Sequence, residues 1–181
     1  MIRRDVLKLG GAATAGLALA TPLAAAVDQG RRPGGTVLID DRFADARTFA
    51  AAARDAGVRV LSTGGDVPSL RYGLLRGEPL EGLGGLTTYA DMMVIASLAA
   101  EARRAFSLRI AHEVGQGKVT HRLLDGPSGC IAVLDAAGWH WPAGVWTLMA
   151  TAPAKAVATV SARHRTHNGG RDGALWSWAI A

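Results

Sequence analysis

Cysteine is nearly absent: Cys130 is the single one in 181 residues, so no intramolecular disulfide can form, whatever the redox state of the compartment. Iron–sulfur clusters and Cys-rich zinc sites are excluded with it, and the chain has neither a haem attachment pair nor a dinucleotide fingerprint. A bilayer span is lacking as well. The apolar centre of the helix expected at residues 86–104 runs only over 92–100, where a membrane helix needs about 20 residues. No stable membrane span is therefore expected in the mature chain.

Concentrated positive charge is also missing. The formal charge is +5, and Arg3, Arg4 and Lys8, less Asp5, supply two of those charges in a segment expected to be removed, leaving about +3. The densest remaining group, Arg163, His164, Arg165 and His167, reads as a solvated face, so no nucleic-acid partner is expected. With 49% hydrophobic residues, the chain is of a size and composition for one domain with a substantial core.

What is there begins with an export signal. Residues 1–8 are basic and contain Arg3-Arg4; residues 9–19 are apolar but rich in Gly and Ala; Ala24-Ala25-Ala26 supplies small residues for cleavage after Ala26. This pattern is a signal peptide over 1–26, and Arg-Arg-Asp-Val-Leu-Lys resembles the twin-arginine signals of bacteria, with Val6 where those often carry Phe. The implied partner is the twin-arginine export machinery, engaged through Arg3 and Arg4. The expected location is periplasmic or secreted, reached in the folded state. Such cargo tends to carry a cofactor or to travel with a protein that does, and the missing cofactor motifs favour a companion, or a protein that simply folds too fast to be threaded.

Residues 27–35 form a polar, Gly/Pro-rich leader, and a single α/β domain is expected over 36–181. Thr36-Val37-Leu38-Ile39 reads as a strand, residues 43–55 as an amphipathic helix ended by Gly57, residues 58–61 as a second strand, and Pro68 opens a further helix through Leu75. This β-α-β-α unit implies parallel strands. Their carboxyl ends then share one edge, which places Asp40, Asp41, Thr63, Gly64, Gly65 and Asp66 together, and open α/β sheets bind ligands at that edge. Two readings of the group follow: carboxylates for a hard cation with a glycine pair open to an anion, or caps and a turn for the helices that follow.

Residues 86–104 read as a central helix buried on several sides, introduced by the capping-box spacing Thr88-x-x-Asp91. The half after it is expected to be mostly antiparallel. Residues 106–114 and 118–124 alternate strictly around Gly115-Gln116-Gly117, a hairpin that sets Val114 against Val119, His112 against His121 and Ile110 against Leu123. Opposed histidines are close enough to bind one divalent metal, although a third ligand is missing, and they are equally placed to hydrogen-bond to each other.

Residues 130–134 read as an apolar strand, Trp139, Trp141 and Trp146 as a cluster that either plugs the core or lines a stacking surface for an aromatic or sugar ligand, and the end of the chain as a last hairpin. The segments GGDVPSLRYGLL, GGLTTYADMMVIASLAAEARRAF and LWSWAIA, behind a twin-arginine signal, resemble a group of small uncharacterised proteobacterial exported proteins. That resemblance implies export and assigns no activity or site. The expected function is a periplasmic accessory or binding protein, a possible companion of an exported enzyme; the alternative is a metal-assisted hydrolase or lyase built on His112 and His121.

Overall fold

In the computed structural model the described residues are 35–66, 70–77, 79–115, 117–151, 161–165 and 173–181. The signal segment with Arg3 and Arg4, the leader up to residue 34, Pro68, and residues 152–160 and 166–172, into which the expected last hairpin extends, lie outside them. The described residues form a single α/β domain. Its strands are β1 (Thr36–Ile39), β2 (Arg59–Ser62), β3 (Gly84–Thr88), β4 (Phe106–Gly115), β5 (Lys118–Asp125), β6 (Ser161–Arg165) and β7 (Gly173–Ile180). Its helices are α1 (Ala44–Asp55), α2 (Tyr89–Glu101), α3 (Cys130–Ala137) and α4 (Trp141–Thr151).

One seven-stranded sheet carries them in the order β2-β1-β3-β7-β4-β5-β6. Strand β1 is parallel to both β2 and β3, and every other pairing is antiparallel. Helices cover both faces. Val37 and Ile39 of β1 pack with Phe49 and Ala53 of α1 and with Trp141 and Val145 of α4, whereas Leu38 packs on the opposite side with Met92, Ile95 and Trp178. A strand covered on both faces reads as an unbroken apolar run, as residues 36–39 do. Each large side chain so buried contributes about 1.5–3 kcal/mol.

Several expectations are corrected by this packing. Helix α2 buries one face only: Met92, Ile95 and Ala99 are inside, while Met93 is 46% exposed. The centre of the sheet is instead β7, which lies between β3 and β4. The expected last hairpin does not form, because β6 pairs with β5 and the two final strands are not neighbours. Alternation fixes which side chains share a face, not which strand lies alongside. Residues 130–134 are helical rather than extended, since a short apolar run fits a buried strand and a buried helix equally well. The helix expected from Pro68 is a single π-helical turn, Leu70–Leu74, with Gly73 inside it.

Strand β3 takes Gly84-Gly85 together with Leu86–Thr88, the first residues of the helix expected over 86–104, which begins instead at Tyr89. The pair is required by close approach on both faces. A Cβ on Gly85 would sit 2.6 Å from the Trp178 ring and 2.7 Å from the Leu38 carbonyl oxygen, and one on Gly84 3.2 Å from the Met149 sulfur.

The β4–β5 hairpin has the expected register, with Val114 opposite Val119, His112 opposite His121 and Ile110 opposite Leu123. Phe106 departs from the alternating face. An irregularity between Phe106 and Leu108 turns it to the other side of the sheet, where its ring meets that of Trp178 edge-on at 6.3 Å.

Candidate functional site

After β1 the chain crosses to β2 on one side, and after β3 it leaves through α2 toward β4 on the other. The carboxyl ends of β1 and β3 therefore flank a topological switch point, where open sheets form a crevice.

Asp40 follows β1 and is fully buried. Its Oδ1 accepts from the Arg42 backbone N–H at 3.2 Å and from Arg42 Nε at 2.9 Å, and its Oδ2 accepts from Arg42 Nη2 at 2.6 Å. The Asp40 carboxylate beside it pushes the Arg42 guanidinium still further toward the charged form. That guanidinium lies across Gly65, where a Cβ would collide with it. Gly65 also has φ +76°, so glycine is required there twice over.

At the end of β2 the Gly64 N–H donates to Ser62 Oγ at 3.2 Å and the Gly65 N–H to Thr63 Oγ1 at 3.2 Å. These bonds take up the two N–H groups that an anion-binding reading of the glycine pair would need, so the pair serves here as a hydroxyl-braced turn.

At the end of β3, Thr88 caps α2 by accepting from the Asp91 N–H at 3.3 Å. Asp91 is 0% exposed, and its Oδ2 accepts from Thr63 Oγ1 at 3.0 Å. Among the described residues no hydrogen bond of ordinary geometry reaches Oδ1. Burial pushes the Asp91 carboxyl above the usual range; the hydroxyls of Thr63 and Thr88 and the Thr88 backbone pull it back, and the charge of Asp40 raises it further. Because β1 lies between β2 and β3, the Thr63–Asp91 bond bridges the carboxyl end of β1.

Of the residues singled out in the sequence, Asp40, Asp41, Gly64, Gly65 and Asp66 do follow the ends of parallel strands. Only Asp40 among them is buried, whereas Asp41 and Asp66 are exposed. Asp91 and Arg42 were missed. The signal for Asp91 was the capping-box spacing, and without β3 nothing in the sequence places that helix start beside Asp40. The tryptophans do not form one surface. Trp141 is buried, Trp146 meets Phe49 edge-on at 6.3 Å, and Trp139 is 50% exposed.

His112 and His121 meet inside the core. Their Nδ1 atoms are 2.6 Å apart, His112 Nε2 lies 2.8 Å from Ser177 Oγ, and the Trp141 ring stacks on His112 at 4.4 Å. One proton between the two Nδ1 atoms satisfies that contact, with one ring donating and the other accepting. Among the described residues no group of three or more His, Cys, Asp or Glu side chains is placed to hold a metal ion. Cys130 is buried at the start of α3, where burial pushes its thiol up to about 11. It packs as a small apolar residue.

Comparison with protein-family models, with curated proteins and with solved structures finds no match to this chain. No helix among the described residues is long and apolar enough to cross a membrane. The candidate site therefore rests on its own geometry.

Proposed function

We propose that this protein is an exported binding protein that seats a small polar ligand in the crevice between the carboxyl ends of β1 and β3. One observation carries the reading: a fully buried carboxylate, Asp91, holds one oxygen on Thr63 and has no ordinary hydrogen bond on the other among the described residues. Leaving such an oxygen without a partner costs roughly 1–3 kcal/mol or more, and a ligand that fills it recovers that cost. The Asp40–Arg42 pair fixes the loop on one side, and the Gly64-Gly65 turn fixes the other.

Export in the folded state through Arg3-Arg4 supports a periplasmic setting, in which the protein works as an accessory that captures or hands over a ligand. The metal-assisted hydrolase reading is less well supported, because the His112 and His121 Nδ1 atoms are turned on each other and buried against Trp141.

Native mass spectrometry of the protein isolated from its own periplasm tests the proposal. The expected spectrum shows a small-molecule adduct that disappears in Asp91→Asn. An adduct that survives this exchange would move the ligand elsewhere. A second protein chain in the spectrum would mark an accessory subunit, and confinement of the chain to the cytoplasm would overturn the exported reading.

A further inference from the structure

The ligand class follows from which partners the strand ends still lack, and this step rests on the crevice being a ligand site. We propose that the ligand carries a primary ammonium group, which donates to Asp91 Oδ1.

Most of the hydrogen-bond donors described around the crevice are committed inward. The N–H groups of Gly64, Gly65 and Asp91 go to the hydroxyls of Ser62, Thr63 and Thr88. Arg42 gives its backbone N–H, Nε and Nη2 to Asp40, and Arg47 Nη1 donates to the Asp41 carbonyl at 2.6 Å. An anion would have to break these bonds to be held by the same groups. Among the described residues the atom at this edge without a hydrogen bond of ordinary geometry is an acceptor, Asp91 Oδ1.

Charge selects among donors. Asp40, Asp41, Asp66 and Asp91 all lie at these strand ends, and the Arg42 charge is held at 2.6 Å by Asp40. A hydroxyl would satisfy Oδ1 without offsetting a buried negative charge. A cationic N–H does both, and such charge-assisted bonds are about twice as strong as neutral ones. Geometry then separates the cations. A guanidinium fork is matched to two free carboxylate oxygens, but Oδ2 is occupied by Thr63. A quaternary ammonium has no N–H to give. A primary ammonium is a compact point donor that needs one oxygen, and Oδ1 is one.

The test uses three probes of the same shape: propylammonium, 1-propanol and propionate, titrated into the mature protein while backbone amide resonances are followed. Propylammonium alone is expected to shift the amides of Thr63, Gly65 and Asp91 in a saturable way. Its affinity should fall at least tenfold in Asp91→Asn and stay unchanged in Asp135→Asn on α3. Preferential binding of 1-propanol or propionate at these amides would overturn the ammonium class and keep the crevice. No shift with any of the three, up to tens of millimolar, would overturn the crevice itself.

Discussion

Thr63 and Asp91 are 28 residues apart in the chain and 3.0 Å apart in the fold, hydroxyl to carboxylate, across the end of β1. Thr63 Oγ1 works in both directions, accepting from the Gly65 N–H while it donates to Asp91. The turn after β2 and the first turn of α2 are thereby tied together, and the Asp91 side chain has little freedom to rotate toward water. A carboxyl buried this way with one oxygen short of an ordinary hydrogen bond is costly, and the proposed ligand would offset that cost.

Asp91→Asn separates these two effects. It removes the buried charge and keeps an acceptor for Thr63, so the ligand-free protein should gain about 0.5–2 kcal/mol at neutral pH while ligand retention is lost. Paired urea unfolding curves, with and without ligand, measure both.

The same carboxyl sets a pH dependence. Its folded-state pKa is raised, so the folded chain binds more protons than the unfolded chain between the ordinary Asp value and the raised one. The Asp91 contribution is fully present below the ordinary Asp value and is lost as pH rises through the folded one. In the ligand-free protein, the stability difference between wild type and Asp91→Asn should shrink on acidification. Melting temperatures of the two proteins across that range provide the check.

Gly85→Ala should be poorly tolerated. The new methyl would press on the Trp178 ring and the Leu38 carbonyl, and Trp178 is anchored by its Nε1–H to Thr87 Oγ1 at 3.0 Å. A loss of about 1–3 kcal/mol or more is expected. Gly84→Ala should cost less, since the nearest atom is the flexible Met149 sulfur. Chemical denaturation ranks the two.

His112→Leu and His121→Leu should each cost about 1–3 kcal/mol, because each leaves a buried Nδ1 without the bond at 2.6 Å. The double exchange removes both ends of that bond and should cost less than the sum. A double-mutant cycle reads the coupling directly.

Cys130 should be unreactive toward thiol reagents in the native protein and react promptly after unfolding. Its thiol is raised from 9.0 to about 11, so the folded chain keeps that proton longer and stability should fall as pH climbs through this interval. Labelling kinetics with and without denaturant, and melts at alkaline pH, test the two statements.

Local pattern made much of the fold legible. The strict alternation over residues 106–124 and the turn between its halves fixed the β4–β5 register, down to the facing histidines. The apolar run at 36–39 and the helix after it were equally plain. Two kinds of element were hidden. Residues 130–137 and 141–151 form helices whose apolar content comes from burial against α1 and the sheet, a signal that does not separate helix from strand. Strand β3 was masked by glycines whose reason lies in residues far along the chain, Trp178 above all.

By itself the sequence determined the local units, meaning a β-α-β start, a capped helix and one hairpin, because periodicity, caps and turns act between residues a few positions apart. Only the tertiary structure decided the order of the strands, since an alternating strand presents the same face to any neighbour. With that order came the insertion of β7 between β3 and β4, the placement of Asp91 over the end of β1, and the buried oxygen, without an ordinary hydrogen bond among the described residues, on which the proposed function turns.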